Sequence, residues 1–190
     1  IGYMQSGSGK AQCIITHLEF CAPEKVDYNG LNLLTLDGVF GDIIQKLECD
    51  EDPAVHTKCW VKYLDISASD AAAWGCEGKY INMSRTGSCD VGIYFDYDFY
   101  QQMLDAGYTT LTLIAQKGKD DMNVKFYDYN AASGKLWGDR IEGDPITDAN
   151  GITTWTFDLT KITITGSTPM IGMTGGIDSG IYFFNINFSK

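Results

Sequence analysis

The chain has 190 residues, of which 44% are hydrophobic and 21% charged, so it can bury one sizeable core and is not disordered over most of its length. Its formal net charge of −11 argues against a nucleic-acid partner, because phosphate binding requires a basic patch. A run of about eighteen apolar residues is missing, and the sequence therefore predicts no membrane insertion.

The N-terminal segment has the composition of a linker. Residues 1–10 include Ser-Gly-Ser-Gly, and the first residue is Ile rather than Met. Both features are typical of flexible or appended residues in a chain that was processed or cut from a longer protein. We therefore expect residues 1–11 to be a linker, residues 12–190 to form a single domain, and any signal peptide to lie outside the given sequence.

All six cysteines fall in the first half of the chain: Cys13, Cys21, Cys49, Cys59, Cys76 and Cys89. An even count in an acidic, aromatic-rich chain suits an oxidising compartment. Cys13 and Cys21 stand at the two ends of one predicted strand, roughly 26 Å apart, so they cannot bond to each other. Cys49–Cys59 and Cys76–Cys89 are feasible closures, and free buried thiols are the equal alternative.

Alternation of apolar and polar residues predicts about ten short strands. The predicted ranges are 12–21, 55–66, 74–83, 91–96, 108–115, 122–130, 153–159, 162–165, 170–173 and 180–188. Over 42–49 the pattern fits a strand and a helical segment equally well. Residues 67–73 and 130–146 have the polar composition of loops.

One short helix interrupts this pattern. Residues 99–106 place Tyr100, Met103 and Leu104 at i, i+3 and i+4 spacing, with Asp98 as the predicted N-cap and Gly107 as a left-handed C-cap. Many short strands, one helix and 21 glycines predict an all-β fold, an antiparallel β-sandwich of jelly-roll type. The sequence lacks the alternation of strands and helices that a parallel sheet requires.

Several segments resemble the β-sandwich carbohydrate-binding modules of secreted bacterial polysaccharide-degrading systems. They are YDFYQQMLDAGYTTLTLIAQ, MNVKFYDY, TTWTFDLTKI and the terminal IYFFNINFSK, and they span roughly residues 91–190. The first half of the chain matches no family. The resemblance implies an extracellular, non-catalytic module, attached to other modules, that tethers an enzyme or a cell surface to starch, β-glucan or hemicellulose. Many modules of this type carry a structural calcium ion.

Sugars present apolar C–H faces that stack on aromatic rings, and their hydroxyls need polar partners. Residues that combine such rings with amide or amine groups are therefore the candidates for polysaccharide binding. They are Trp74, Tyr94, Lys125, Tyr127, Tyr129, Trp137, Asn185 and Asn187. Each has a structural alternative, either as a lid on the core or as an ordinary surface residue.

Two locations compete for this site. Tyr127 and Tyr129 occupy the polar row of their strand, so we expect them on a wet sheet face with Asn185 and Asn187 as neighbours. Trp74, at the start of a predicted strand, and Trp137, in a predicted loop, lie in glycine- and polar-rich contexts and would instead place the site at the rim of the sandwich.

Strict alternation in the last strand puts Tyr182, Phe184, Ile186 and Phe188 in one row, and Asn185 and Asn187 in the other. Trp60 and Trp155 lie inside strands and are predicted to belong to the core.

Metal binding stays open at this point. Loop carboxylates at Asp50, Glu51, Asp52 and Asp178 suit calcium, although no calcium-loop pattern is present. A zinc site built from the cysteines and the two histidines matches no compact zinc motif. No other cofactor is indicated.

Two alternative functions remain. One is a β-sandwich adhesin or assembly domain that binds a protein partner. The other is a small jelly-roll glycan lyase or hydrolase, which would need two facing carboxylates roughly 5–10 Å apart. Asp96, Asp128 and Asp158 lie in or beside strands, but the sequence does not pair them, and no nucleophile or metalloprotease motif occurs.

Overall fold

The computed structural model describes residues 26–48, 58–87, 91–129, 139–166 and 168–190. In these ranges the strands are β1 (Ile44–Leu47), β2 (Lys58–Asp65), β3 (Lys79–Thr86), β4 (Gly92–Phe95), β5 (Thr110–Lys117), β6 (Asn123–Asp128), β7 (Arg140–Glu142), β8 (Asp144–Thr147), β9 (Ile152–Asp158), β10 (Pro169–Thr174) and β11 (Ser179–Ser189). The helices are α1 (Val39–Asp42), which is irregular, α2 (Ala68–Trp74) and α3 (Tyr97–Asp105), and 3-10 turns occur at Leu33–Thr35 and Leu159–Lys161. None of these helices is long and apolar enough to cross a membrane.

The strands form two antiparallel sheets. A five-stranded sheet has the order β1-β4-β10-β6-β7, and a six-stranded sheet has the order β2-β3-β11-β5-β9-β8. The chain alternates between the sheets from β4 to β5 to β6, and again from β9 to β10 to β11. Central strands in both sheets therefore come from distant parts of the sequence, as in a jelly roll. The predicted all-β antiparallel sandwich is confirmed.

The core lies between the sheets and is built from the inward row of each strand. The most deeply buried core residues have an exposure of 1% or less and include Ile93, Phe95, Leu111, Leu113, Val124, Phe126, Trp155, Phe157, Ile171, Ile181, Phe183, Ile186 and Phe188. The predicted core position of Trp155 is confirmed, and its Nε1–H donates to Asn123 Oδ1 at 2.6 Å. Trp60 was expected in the core as well, but its pairing with Ser84 places it on the outer face.

The last strand departs from the strict alternation that the sequence predicted. Phe183 pairs with Ala115 and Asn185 with Ile114, so Phe184 is an extra residue in a β-bulge. The bulge shifts the inward row from Ile181 and Phe183 to Ile186 and Phe188, all of them fully buried. The predicted row of Tyr182, Phe184, Ile186 and Phe188 is therefore wrong, because one residue changes the parity of the strand.

Helix α3 begins two residues earlier than predicted. Asp96 is the N-cap, because its Oδ1 accepts the Phe99 N–H at 2.9 Å, and the helix starts at Tyr97. Tyr100 and Met103 face the core, and Gly107 has the left-handed φ of +83° expected after a helix.

Other local predictions are corrected as well. Residues 67–73 form most of α2 instead of a loop, with Ser67 as N-cap and Gly75 as a left-handed C-cap. Residues 162–165 form no strand. Cys76 is a free thiol, so the Cys76–Cys89 closure is not formed. The first predicted strand and the remaining cysteines, apart from buried Cys59, lie outside the described ranges.

Two buried tyrosines differ in how their hydroxyls are satisfied. Tyr100 is 0% exposed, and its hydroxyl has no hydrogen-bond partner among the described residues. Burial raises the pKa of Tyr100, with a further contribution from the charge of Asp128. Tyr108 donates to Asp27 Oδ1 at 2.8 Å and accepts the Tyr28 N–H at 3.1 Å. The Tyr108 hydroxyl therefore connects the start of the described chain to the segment that leads into β5.

Tyr100→Phe is expected to leave the free energy of unfolding unchanged or to raise it by about 1 kcal/mol, because it removes a polar group buried without a partner. Tyr108→Phe is the matched control and is expected to lower stability, since it removes the hydrogen bonds of the Tyr108 hydroxyl with Asp27 and Tyr28. Urea unfolding followed by far-UV circular dichroism measures both. Equal losses of stability in the two variants would contradict the difference in hydrogen bonding between the Tyr100 and Tyr108 hydroxyls.

Asp128 joins the end of β6 to the loop that precedes β10. It is 5% exposed and accepts the Thr165 N–H at 2.9 Å, the Thr165 hydroxyl at 2.6 Å and the Gly166 N–H at 2.8 Å. Burial by itself would raise the pKa of Asp128, but these hydrogen bonds outweigh it and hold the pKa below its usual value. The carboxylate is thus a structural anion.

A lowered carboxyl pKa stabilises the fold above the unfolded-state value of about 3.9, and this stabilisation is lost as the pH falls through the folded-state pKa. Asp128→Asn is expected to lower stability at pH 7 by on the order of 2 kcal/mol and to flatten the acid side of the stability profile. Asp158→Asn is the control. Hydrogen bonds with Thr160 also lower the pKa of Asp158, but Asp158 is exposed, so its replacement should change stability less. Urea unfolding from pH 7 to pH 2 tests this, and parallel acid profiles of Asp128→Asn and the wild type would refute it.

Candidate functional site

The structure separates the predicted site residues onto two opposite faces of the sandwich. Trp74, Asn185 and Asn187 lie on the outer face of the six-stranded sheet, whereas Tyr94, Lys125 and Tyr127 belong to the five-stranded sheet. Tyr129 follows the end of β6, and its N–H donates to Thr168 O at 3.0 Å. Trp137 lies outside the described residues. The expected neighbourhood of Tyr127, Tyr129, Asn185 and Asn187 is therefore wrong.

Tyr127 is not on a wet surface, contrary to the prediction. It is 2% exposed, and its ring lies against Gly172 on the neighbouring strand, where a Cβ atom would stand 2.7 Å from Tyr127 Cε2. A glycine on the adjacent strand lets the ring lie flat along the sheet. Lys125 Nζ lies 2.5 Å from Glu142 Oε1 on β7, so this amine has a partner within its own sheet.

Four aromatic rings meet on the outer face of the six-stranded sheet, and we call Trp74, Tyr80, Tyr182 and Phe184 the aromatic cluster. Trp74 stacks on Phe184 with ring centroids 5.1 Å apart and an interplanar angle of 15°. It lies 6.4 Å from Tyr182 at 24°, and meets Tyr80 edge-on at 5.3 Å. The cluster joins α2 to the adjacent strands β3 and β11.

Trp74 owes its position to the short helix between β2 and β3. Ser67 caps α2 by accepting the Asp70 N–H at 3.2 Å, and Gly75 ends the helix with a φ of +68°. The helix has no fully buried residue, and Trp74 at its C-terminus contacts the sheet. The Trp74 Nε1–H donates to Gln116 Oε1 on β5 at 2.6 Å, and this hydrogen bond holds the N–H edge of the indole toward β5.

Beside the aromatic cluster, three strands present amides and hydroxyls. Cross-strand pairing aligns Asn187 with Thr112 and Thr112 with Thr156, and Asn185 lies near Thr154 across Ile114. Asn187 Nδ2 donates to Asn185 Oδ1 at 2.9 Å. We call Thr112, Thr154, Thr156, Asn185 and Asn187 the polar strip. It combines donors and acceptors spaced by the strand separation of about 4.8 Å.

The centre of this face is uncharged although the chain carries a net charge of −11. The outward positions of β5 and β11 hold only neutral side chains, namely Thr110, Thr112, Ile114, Gln116, Tyr182, Phe184, Asn185, Asn187 and Ser189. Charges appear at the margins, where Lys62 lies on β2 and Asp158 ends β9. A neutral face of rings, amides and hydroxyls is suited to a ligand that is itself neutral and rich in hydroxyls.

The candidate metal ligands and the strand carboxylate Asp158 bear on the predicted calcium and hydrolase sites. Within them no three His, Cys, Asp or Glu side chains are grouped so as to hold a metal ion. Of the predicted calcium ligands only Asp178 is described, and Asp50, Glu51 and Asp52 are not. Asp158 is hydrogen-bonded by Thr160, which lowers its pKa, so it is held as an anion and does not suit the role of a general acid.

Sequence reasoning missed several members of this face. Tyr80, Tyr182, Phe184 and Gln116 were not among the candidates. A signal for Tyr182 was present, because a tyrosine in a strand with two outward asparagines indicates a functional surface. The bulge at Phe184 concealed this signal, since strict alternation assigned Tyr182 to the opposite row from the asparagines.

Comparisons with known proteins give one structural likeness. No family model matches the sequence, and no curated protein is significantly similar to it. Among solved structures, the family 11 carbohydrate-binding module of the cellulosomal cellulase Lic26A-Cel5E of Clostridium thermocellum matches at 11% identity. The match covers 86% of this chain and 96% of that chain, with a TM-score of 0.46.

Gln116→Leu is expected to cost less stability than Asn123→Leu, although each removes the acceptor of an indole N–H at 2.6 Å. Water can replace the lost acceptor at half-buried Trp74 but not at Trp155, which is 0% exposed. We expect a loss below about 1 kcal/mol for Gln116→Leu and of about 1–3 kcal/mol for Asn123→Leu. Urea unfolding of both variants measures the difference, and equal losses would show that Trp74 is a core residue.

Proposed function

We propose that the chain is a non-catalytic binding module for a polysaccharide, and that it binds on the outer face of the six-stranded sheet. The observation that carries this proposal is the position of the aromatic cluster beside the uncharged polar strip. Half-buried rings on a rigid sheet can stack on the apolar face of a sugar, and neighbouring amides and hydroxyls can pair with its hydroxyl groups.

The residues have distinct roles in this proposal. Trp74, Tyr80 and Tyr182 are half-buried and supply the stacking surface. Phe184 is 5% exposed beneath Trp74, so it supports the indole without contacting the sugar. Asn185 and Asn187 already share one hydrogen bond, which holds both amides in fixed orientations and leaves further donors and acceptors for the ligand.

The ligand is expected to be a neutral glycan such as starch, β-glucan or hemicellulose. The central strands of the face offer no described cation to pair with a uronic acid, and the protein is acidic overall. A charged pectin should therefore bind less well than a neutral chain. In the same proposal the module is extracellular and serves to hold an attached enzyme or cell surface close to the polysaccharide.

Binding is best tested by affinity electrophoresis in native gels that contain starch, xylan, β-glucan or pectin. We expect retardation by at least one neutral polysaccharide, with Trp74→Ala and Tyr182→Ala each weakening the affinity about tenfold or more, since each removes a stacking ring. Asn187→Ala should weaken it less. Isothermal titration with oligosaccharides of the bound polysaccharide then gives dissociation constants.

Tyr94→Ala is the matched control, because Tyr94 is also a half-buried tyrosine but lies on the five-stranded sheet. It should bind as the wild type does. Loss of binding in Tyr94→Ala with retention in Trp74→Ala would move the site to the opposite face. If no polysaccharide in the panel retards the wild-type protein, the proposed function is wrong, and a protein partner becomes the better hypothesis.

A further inference from the structure

The C-terminal half of β11 has an unusual partner on one edge. Strand β3 pairs with β11 only from Ser179 to Phe183, and beyond that point residues 29–32 take its place. The Gly30 N–H donates to Phe188 O at 2.8 Å, and the Lys190 N–H donates to Asn29 Oδ1 at 3.1 Å. The edge of β11 is therefore satisfied without a regular strand.

Asn32 completes this edge with its side chain. Its Nδ2 donates to Phe184 O at 2.9 Å, and its Oδ1 accepts the Ile186 N–H at 3.2 Å. A primary amide carries the same donor and acceptor as a peptide group, so Asn32 replaces a missing strand residue where β11 bulges. Its Oδ1 also accepts the Leu34 N–H at 3.1 Å, which starts the 3-10 turn.

These contacts connect Asn32 to the candidate site through Phe184. The bulge turns Phe184 outward, and Phe184 is the ring on which Trp74 stacks at 5.1 Å. The same bulge places Asn185 and Asn187 outward while Ile186 stays in the core. Both groups that Asn32 holds, the Phe184 carbonyl and the Ile186 amide, flank Asn185.

We infer that Asn32 is a positioning residue for the aromatic cluster and the polar strip, although it lies on neither. Its amide fixes the bulge of β11, the bulge sets the position of Phe184, and Phe184 sets the plane of Trp74. The effect on affinity rests on the proposed function, whereas the effect on the geometry of Trp74 does not.

Asn32→Ser is the informative variant. A serine remains a good N-cap for the 3-10 turn but is too short to bridge Phe184 and Ile186, so it separates capping from positioning. Asn29→Ala is the matched control, because it removes one hydrogen bond to the same edge of β11 at its far end. Near-UV circular dichroism reports the packing of Trp74, once the spectrum of Trp74→Phe has identified the contribution of that residue.

The near-UV contribution of Trp74 is expected to be reduced in Asn32→Ser and retained in Asn29→Ala. Adding Asn32→Ser to Trp74→Phe should change the spectrum little further. Affinity for the bound polysaccharide should fall about fivefold in Asn32→Ser, on the order of one hydrogen bond, and combine non-additively with Trp74→Ala.

An unchanged Trp74 spectrum in Asn32→Ser, whatever the stability of the variant, would show that the contacts of Asn32 with β11 do not position Trp74 and would overturn the inference. An altered spectrum in a protein that binds no polysaccharide would refute the proposed function and leave the positioning role intact. An altered spectrum with unchanged affinity would refute the role of Asn32 in binding.

Discussion

The hydrogen-bond register of β11 is the constraint on which the rest of the structure depends. This strand lies between β3 and β5, and its inward side chains fill the core while its outward side chains form the candidate site. A slip of one residue would exchange the two sets, burying asparagines and exposing phenylalanines. The bulge at Phe184 shifts the register by one residue at a single place in the strand. The hydrogen bond from Asn32 to the Phe184 carbonyl holds the bulge at that place.

The features that depend on short-range pattern were predictable from the sequence. Period-two alternation located β5 and β9, and the strand position of Trp155 placed it in the core, because each strand has one dry face and one wet face. The glycine after α3 located the end of that helix. Together these elements were sufficient to predict an antiparallel sandwich, and the outward positions of Asn185 and Asn187 followed from the same rule.

The remainder depends on contacts between segments that are distant in the sequence. The burial of Tyr127 requires Gly172 on another strand, and no local pattern indicates that the two are adjacent. The bulge is one extra residue in an otherwise regular run. Trp74 was placed in a strand because α2 is a short, alanine-rich helix without an apolar stripe. The partition of the candidates between two sheets also follows from strand order alone, which single-sequence reasoning does not provide.

Because α2 is attached to the sheet through Trp74, ligand binding on this face would also affect the stability of α2. Helices of this length are unstable by themselves, so α2 persists because its C-terminal indole is fastened to Phe184 and Gln116. The coil–helix equilibrium of α2 is therefore coupled to the binding of a ligand at the Trp74 indole. A sugar bound against Trp74 would slow the exchange of the α2 amide hydrogens with solvent. By the same coupling free energy, a change that destabilises the helix would lower the affinity for the sugar.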